Sequence, residues 1–437
     1  MNAPSMTRRR CHALLVSGCG SGQGKTTVTG ALALHARALG KRVRVFKTGP
    51  DFLDPMVLQA ITGEPVWQLD LFMGGEAHCA QLLWEAANEA DLVLVEGAMG
   101  LFDGNPSSAD LAERFGLPVL AVINGAAMAQ TLGAIAYGLK QYRPGLPFAG
   151  VFANRVASAY HARLLFDSLP PDIDALGWLP AAAELSLPAR HLGLVPQADD
   201  NDVASRFTAA AKALQPCSRD ACQAPMVTFK PGDLVPPPPM LAGQRIAVAR
   251  DAAFCFLYPA NLDCLRAMGA SLQFFSPVSG ERLPPCDAVW LPGGYPELHA
   301  AAWSANEALR ADLREHQVAG KPMLAECGGM MSLFDELVDI DEHAHPGFGL
   351  LPGRTHMHQR LVSLGLQRLV LPEGELRGHS FHYSISETPL APIARATNPN
   401  GGPTEEAAYR VHRTTASYVH LYFPSNPVAV ARLFSSN

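Results

Sequence analysis

Five short runs in the first half of the chain, His12 to Val16, Arg42 to Phe46, Asp91 to Val95, Pro118 to Ile123 and Phe148 to Phe152, are apolar at consecutive interior positions. A strand with one wet face alternates apolar and polar residues, whereas a strand apolar on both faces needs cover on each side. Longer segments of helical periodicity separate the runs, so together they predict a parallel sheet between two layers of helices. The alternation returns in Arg245 to Ala249, Leu272 to Phe275, Ala288 to Leu291 and Met323 to Ala325. Between the two halves lie Gln215 to Asp220 and the proline run Pro236 to Pro239, where fixed φ angles and missing N–H donors oppose regular structure. The expected organisation is two α/β domains, 1–215 and 242–437, joined by a linker over 216–241.

Composition removes several classes. Of 437 residues, 48% are hydrophobic and 17% charged, the reverse of a disordered chain. The net charge of −6 gives no basic field for a phosphate backbone, so nucleic acid is not an expected partner. Nine cysteines at irregular spacings, with no C-x-x-C pair, predict reduced thiols and a cytoplasmic location. Arg8 to Arg10 before Ala13 to Val16, with Val16-Ser17-Gly18-Cys19, imitates an export signal, but the apolar run is too short for a signal core. Residues 117–139 are uncharged, yet Pro118, Asn124, Gly125 and Gln130 suit a buried strand and helix better than a membrane span. No membrane association is expected.

The first strand runs directly into Gly18-Cys19-Gly20-Ser21-Gly22-Gln23-Gly24-Lys25-Thr26-Thr27. Backbone N–H groups and a helix N-terminus converge there, as a polyphosphate requires. Gly20, Gly22 and Gly24 give the loop its close backbone approach, Lys25 is placed to neutralise phosphate, and Thr26 and Thr27 offer hydroxyls, that of Thr26 to Mg²⁺. Gly18 stands one residue too early for G-x-x-x-x-G-K-[ST], so the loop resembles the modified form of the dethiobiotin synthetase and MinD group.

Two further strands deliver acids to the same sheet edge, where ligands bind in open α/β folds. Lys47-Thr48-Gly49-Pro50-Asp51-Phe52-Leu53-Asp54 leaves the second strand, and Glu96 ends the apolar run from Leu92. A carboxylate ending a buried strand must be paired or bind a cation. Thr26, Asp51 and Glu96 are candidate Mg²⁺ ligands, and Asp51 with Asp54 is a candidate for positioning an acceptor carboxylate; capped turns at Asp51 and Asp54 are the alternative. Asn154, just after the strand beginning at Phe148, is a candidate to read an adenine edge or a turn residue.

In the second half, Met323-Leu324-Ala325-Glu326-Cys327-Gly328-Gly329 is a strand, a thiol at a sharp turn and a helix start. That geometry exposes sulfur beside a helix N-terminus and presents N–H groups to an oxyanion. Gly294, in Pro292-Gly293-Gly294-Tyr295, and Gly328 are the expected oxyanion donors, and His420, in a late apolar run, is the expected base for Cys327. Zinc at His343-x-His345 or His356-x-His358 is not expected, because no Cys or acidic set stands at metal spacing in a predicted rigid element. Gly378-His379-Ser380-Phe381-His382-Tyr383 is either structural or part of a substrate site.

These segments, with Glu96-Gly97-Ala98-Met99-Gly100-Leu101-Phe102-Asp103-Gly104 and Ser417-Tyr418-Val419-His420, resemble the glutamine-dependent cobyrinic or hydrogenobyrinic acid a,c-diamide synthases of cobalamin biosynthesis, over nearly the whole chain. The resemblance implies a P-loop amidoligase domain similar to dethiobiotin synthetase and a flavodoxin-like class I glutamine amidotransferase domain. It implies ATP and Mg²⁺, with a corrinoid polycarboxylate and glutamine as small-molecule partners, and leaves a homodimer as an assembly to test. ATP would convert a carboxylate to an acyl phosphate, Cys327 would release ammonia from glutamine, and ammonia would displace phosphate through a shielded passage. Two departures from the family pattern stand out. His420-Leu421-Tyr422 lacks the acid two residues after the base, and Ser380 occupies the acidic place of Gly-His-Glu-Phe-His-Tyr. Cobyric acid synthase, a sirohydrochlorin diamide synthase, or a ParA- or MinD-like switch ATPase are the other readings.

Overall fold

The computed structural model describes residues 8–185, 200–217 and 221–435. It divides into two compact units, Met1–Leu234 and Val235–Asn437.

In the first unit, strands β1 (Arg9–Gly18), β2 (Val43–Thr48), β3 (Trp67–Leu69), β4 (Leu92–Glu96), β5 (Val119–Asn124), β6 (Phe148–Val156) and β7 (Ala175–Pro180) form one sheet in the order β3-β2-β4-β1-β5-β6-β7. All seven run parallel. The two-sided apolar runs have the expected cause. Ala13, Leu15, Val93, Val95, Ala121 and Ile123 enter the core on one face of the sheet. Their chain neighbours Leu14, Val16, Leu92, Leu94, Leu120 and Val122 enter the core on the other. Burying both rows excludes water from every central strand, which parallel pairing between helices requires.

The expected linker is shorter than 216–241. β8 (Gln215–Pro216) adds antiparallel to β7, and β9 (Met226–Phe229) pairs antiparallel with the start of β1. Val227 and Phe229 are buried in the first core, so this part belongs to the first unit. Alternation over Met226 to Phe229 is too short to register as a strand without its partner.

The second unit opens with β10 (Arg245–Ala249), β11 (Ser271–Phe275), β12 (Ala288–Leu291) and β13 (Met323–Glu326), parallel in the order β11-β10-β12-β13. Its core repeats the two-faced pattern, with Ala247, Val289 and Ala325 on one side and Val248, Trp290 and Leu324 on the other. Beyond the helix Gly328–Leu333 the chain becomes mostly β, a departure from the expected α/β alternation. β14 (Phe334–Val338), β15 (Ala344–Pro346), β16 (Leu351–Met357) and β19 (Ser384–Glu387) make a small separate sheet. β17 (Ser363–Leu371), β18 (Gly374–His382), β20 (Ala394–Thr397), β21 (Pro403–Val411), β22 (Thr414–Ser417) and β23 (His420–Tyr422) extend the main sheet beyond β13, in the order β22-β21-β20-β17-β18-β23. β17, β18, β20 and β21 leave exposed or half-buried residues along their length, so they lack the unbroken apolar runs that mark the parallel ones, while β22 and β23 are buried but only four and three residues long.

Among the described residues no helix is long and apolar enough to cross a membrane.

Candidate active site

The first unit gathers its polar groups at the C-terminal ends of β1, β2 and β4. Gly22 and Gly24 adopt left-handed φ of 77° and 87°, and Gly24 caps the helix Lys25–Ala38. A Cβ on Gly24 would stand 2.0 Å from Asn154 Nδ2, so only glycine lets the loop close on that amide. Asn154, 5% exposed, donates from Nδ2 to Gln23 O at 2.9 Å and accepts from the Arg155 N–H at Oδ1. Its observed task is to brace the glycine loop. Lys25 Nζ donates to Gly20 O at 2.9 Å and Met99 O at 2.6 Å, and burial, then the neighbouring Lys47 charge, lowers its proton affinity.

Lys47, to which the motif reading assigned no role of its own, is the hub of the acidic cluster. Its Nζ lies 2.8 Å from Asp54 Oδ2, 2.9 Å from Glu96 Oε1 and 3.5 Å from Asp51 Oδ2. Burial alone would strip such a lysine of its proton, but three carboxylates outweigh it and raise its proton affinity instead. Thr26 Oγ1 donates to the same Glu96 Oε1 at 2.9 Å. The structure thus brings Thr26, Asp51, Asp54 and Glu96 together. The capped-turn reading also holds for Asp51, whose Oδ1 accepts from the N–H groups of Leu53 and Asp54. Glu96 is fully buried, and burial pushes it up to about 7 against the opposing pull of Lys47. Its Oε2 faces no hydrogen-bond donor among the described residues. An orphaned buried carboxylate oxygen, in a cluster with more acids than ammonium groups, fits a hard divalent cation.

The second unit builds a different centre. Cys327 sits between β13 and the helix Gly328–Leu333 at φ 45°, a left-handed conformation that a non-glycine residue holds only under tertiary constraint. Its N–H donates to Ser417 O at 2.8 Å, locking the turn to the end of β22. Ser417 Oγ donates to Ala407 O and accepts from the Val419 N–H, which aims the next residues back toward the thiol. A Cβ on Gly293 would lie 2.2 Å from His420 Cε1, 2.9 Å from His420 Nδ1 and 3.3 Å from Cys327 Cβ. Nucleophile and base candidates therefore flank one glycine, separated in sequence by 93 positions. Gly328 lies against Gly294, since a Cβ on it would be 3.1 Å from Gly294 N, and the Gly328 N–H bonds the Cys327 sulfur. Both expected oxyanion donors are thus beside the thiol.

Electrostatics keep this pair neutral at rest. Burial, reinforced by Glu297, raises the proton affinity of the Cys327 thiol. Burial, then His379 and His382, holds His420 well below the ordinary imidazole range. No acid follows His420 on its strand, and its ring instead stacks on His379, with centroids 4.9 Å apart and planes at 21°. Glu326 accepts from the Leu421 N–H and the Trp290 indole, which ties β13 to β23 just beside both groups.

Asp339 and Asp341 fold back on His343, bringing one ligand atom from each within 4.8 Å, so an acidic set does lie beside His343. The three stand at alternate positions of the chain and meet in the turn after β14, outside any strand or helix, so they are not a set held in a rigid element.

Family comparisons agree with the two centres. A model described as the CobQ/CobB/MinD/ParA nucleotide binding domain matches residues 14–195, and one described as the CobB/CobQ-like glutamine amidotransferase domain matches residues 245–428. The chain is thus an amidating ligase of the glutamine-dependent class, with a nucleotide-binding half. It belongs to the a,c-diamide synthase family. It is 58% identical to a hydrogenobyrinate a,c-diamide synthase of Stutzerimonas stutzeri, over 98% of this chain and 99% of that protein. A protein of the same description from Pseudomonas aeruginosa is 56% identical over 98% and 99%. A cobyrinate a,c-diamide synthase of Herminiimonas arsenicoxydans is 47% identical over 100% and 98%.

Proposed function

We propose that this chain converts the a and c side-chain carboxylates of hydrogenobyrinate to amides, using ATP and glutamine. The nearness of Cys327 and His420 across Gly293 carries the reading, because a nucleotide switch has no use for a thiol at a strand-to-helix turn. Hydrogenobyrinate is preferred to cobyrinate as acceptor because the relatives at 58% and 56% identity bear that name, whereas the one at 47% bears the other.

At the thiol centre, Cys327 transfers its proton to His420 as it attacks the glutamine side-chain carbonyl, and the N–H groups of Gly294 and Gly328 receive the developing oxyanion. His420 then protonates the leaving nitrogen, which departs as ammonia, and water hydrolyses the thioester. A neutral His420 and a protonated thiol suit concerted transfer rather than a preformed ion pair.

At the other centre the loop amides and Lys25 bind the ATP phosphates, while Asn154 holds the loop and contacts the adenine edge. Thr26, Asp51 and Glu96 would hold Mg²⁺, which would supply neutralisation of phosphate charge. Lys47 and Asp54 orient the acceptor carboxylate for attack on the γ-phosphate. Ammonia completes the amide by displacing phosphate.

Incubation with ATP, glutamine and either macrocycle, followed by mass spectrometry, tests the reading. The expected result is two carboxyl-to-amide conversions on hydrogenobyrinate. Faster conversion of cobyrinate would reverse the acceptor assignment, and conversion of neither would refute it.

A further inference from the structure

Class I amidotransferases place an acid two residues after the base, but Tyr422 stands there in this chain. A buried carboxylate nevertheless reaches the same core from another strand. Glu406, on β21 and 4% exposed, lies 3.0 Å through Oε1 from Nε2 of His382, the last residue of β18. These strands are not neighbours in the sheet, since β20 and β17 stand between them, so the contact is made by the side chains and not by strand pairing. The second ring nitrogen, Nδ1, is 2.9 Å from the Ser384 carbonyl oxygen. Each ring nitrogen therefore faces an oxygen acceptor, and the carboxylate of Glu406 is the charge partner of the ring. Burial works against the Glu406 charge, but the His382 bond and charge, then the Ser363 and Ser380 hydroxyls, hold it below the usual carboxylate range. Ser380, at the family's acidic place, thus supports an acid that arrives from a different strand.

The His382–Glu406 pair is joined to the thiol centre through one side chain. Its ring lies flat on Tyr418, with centroids 3.8 Å apart and planes at 10°. The Tyr418 hydroxyl is fixed by Ser384 at 3.0 Å and Ser386 at 2.7 Å. Tyr418 stands between Ser417, whose carbonyl holds the Cys327 N–H, and His420.

We propose that the His382–Glu406 ion pair is the positioning device of the thiol centre, acting through its stack on Tyr418 to set the Ser417–His420 turn that spaces nucleophile and base. The inference rests on the reading of Cys327 and His420 as the glutamine-hydrolysing pair. A second effect follows from charge. His379 and His382 disfavour a proton on His420, while Glu297 from the loop after β12, Glu406 from β21 and Glu326 from β13 act on the thiol, whose proton affinity they raise. His382 therefore helps keep the base neutral.

The test uses the full chain and compares glutamine-dependent with ammonia-dependent amidation. His382→Gln and Glu406→Gln should each lower the glutamine-dependent kcat by about 10- to 100-fold, with the KM for glutamine within about twofold and the ammonia rate unchanged. The double variant should lose no more than the single ones, because the residues act as one unit. In His382→Gln the acid limb of the glutaminase pH profile should move to higher pH, a change that looser packing alone does not produce. Tyr418→Leu removes the stack without unpairing a buried charge and should lose about tenfold, whereas Tyr418→Phe keeps the stack and should stay within about twofold. Wild-type rates in Tyr418→Leu, equal losses with both nitrogen sources, or an unmoved acid limb would overturn the proposal. Cys327→Ser and His420→Asn run alongside separate the two readings: retained glutaminase in these would refute the catalytic pair itself.

Discussion

The two units both set their chemistry at the C-terminal ends of parallel strands, yet they solve opposite electrostatic problems. The first concentrates charge, with Asp51, Asp54 and Glu96 around the buried Lys47 ammonium and a lysine-bearing glycine loop beside them. The second suppresses charge at its reacting groups, with a protonated Cys327, a neutral His420 and glycine N–H groups as the polar partners. The difference follows from the chemistry. Phosphoryl transfer moves charge that is already present and needs fixed counter-charges. Thiol attack on an amide creates charge only during the reaction, so preorganised dipoles and a ready proton acceptor serve it better.

The largest effect should come from separating the centres. Cys327→Ser is expected to lower glutamine-dependent amidation on the order of 10⁴-fold or more while ammonium salts still support product. Equal loss with both nitrogen sources, read by product mass, would break the division of labour. Lys47→Met makes the converse cut. It strands three carboxylates in a buried site, costing about 3–5 kcal/mol of stability and abolishing amidation from either source. Denaturant unfolding and the ammonia-driven rate check both parts, and an unaltered midpoint would show that the cluster is not held by its ammonium.

Gly293→Ala probes the second centre at finer scale. Its methyl must displace His420, so the glutamine-dependent kcat should fall about 10- to 100-fold with the ammonia rate intact. A variant of wild-type activity would mean that the base is not held at that glycine. A smaller effect concerns the resting thiol. Because burial raises its proton affinity, thiolate absorbance from Cys327 should be missing at neutral pH in the difference between wild type and Cys327→Ser. A neutral-pH thiolate signal would replace suppressed charge with a preformed ion pair.

The pH dependence of stability sharpens the contrast last. Burial pushes Glu326 up to about 8 from an ordinary value near 4.5. The folded state therefore holds this proton more tightly than the unfolded one, and the stabilisation is complete below about 4.5 and lost as pH rises through about 8. Glu326→Gln, which keeps the neutral shape, should flatten the fall in the unfolding midpoint of the second unit between pH 5 and about 9. A parallel fall in both proteins would assign the loss to other groups.

What the linear chain determined is whatever depends on local order. Consecutive apolar residues require two-sided cover, so five of the seven parallel strands of the first unit, the four of the second, the loop from Gly18 to Thr27 and the turn at Cys327 are legible from pattern and spacing, whereas β3 and β7 are not. Other features depend on residues that meet only after folding. Asn154 reads in the sequence as a polar residue at a strand end, but its role as a loop brace needs Gln23 and Gly24 beside it. Lys47 became a hub only when β4 brought Glu96 beside β2. The amphipathic strands from Ser363 to Val411 were hidden because one wet face dilutes the apolar signal, and with them the meeting of His382 and Glu406. Tertiary structure decided these cases for one reason: pairing energies between distant side chains depend on separations of a few ångströms, and chain order does not encode those separations locally.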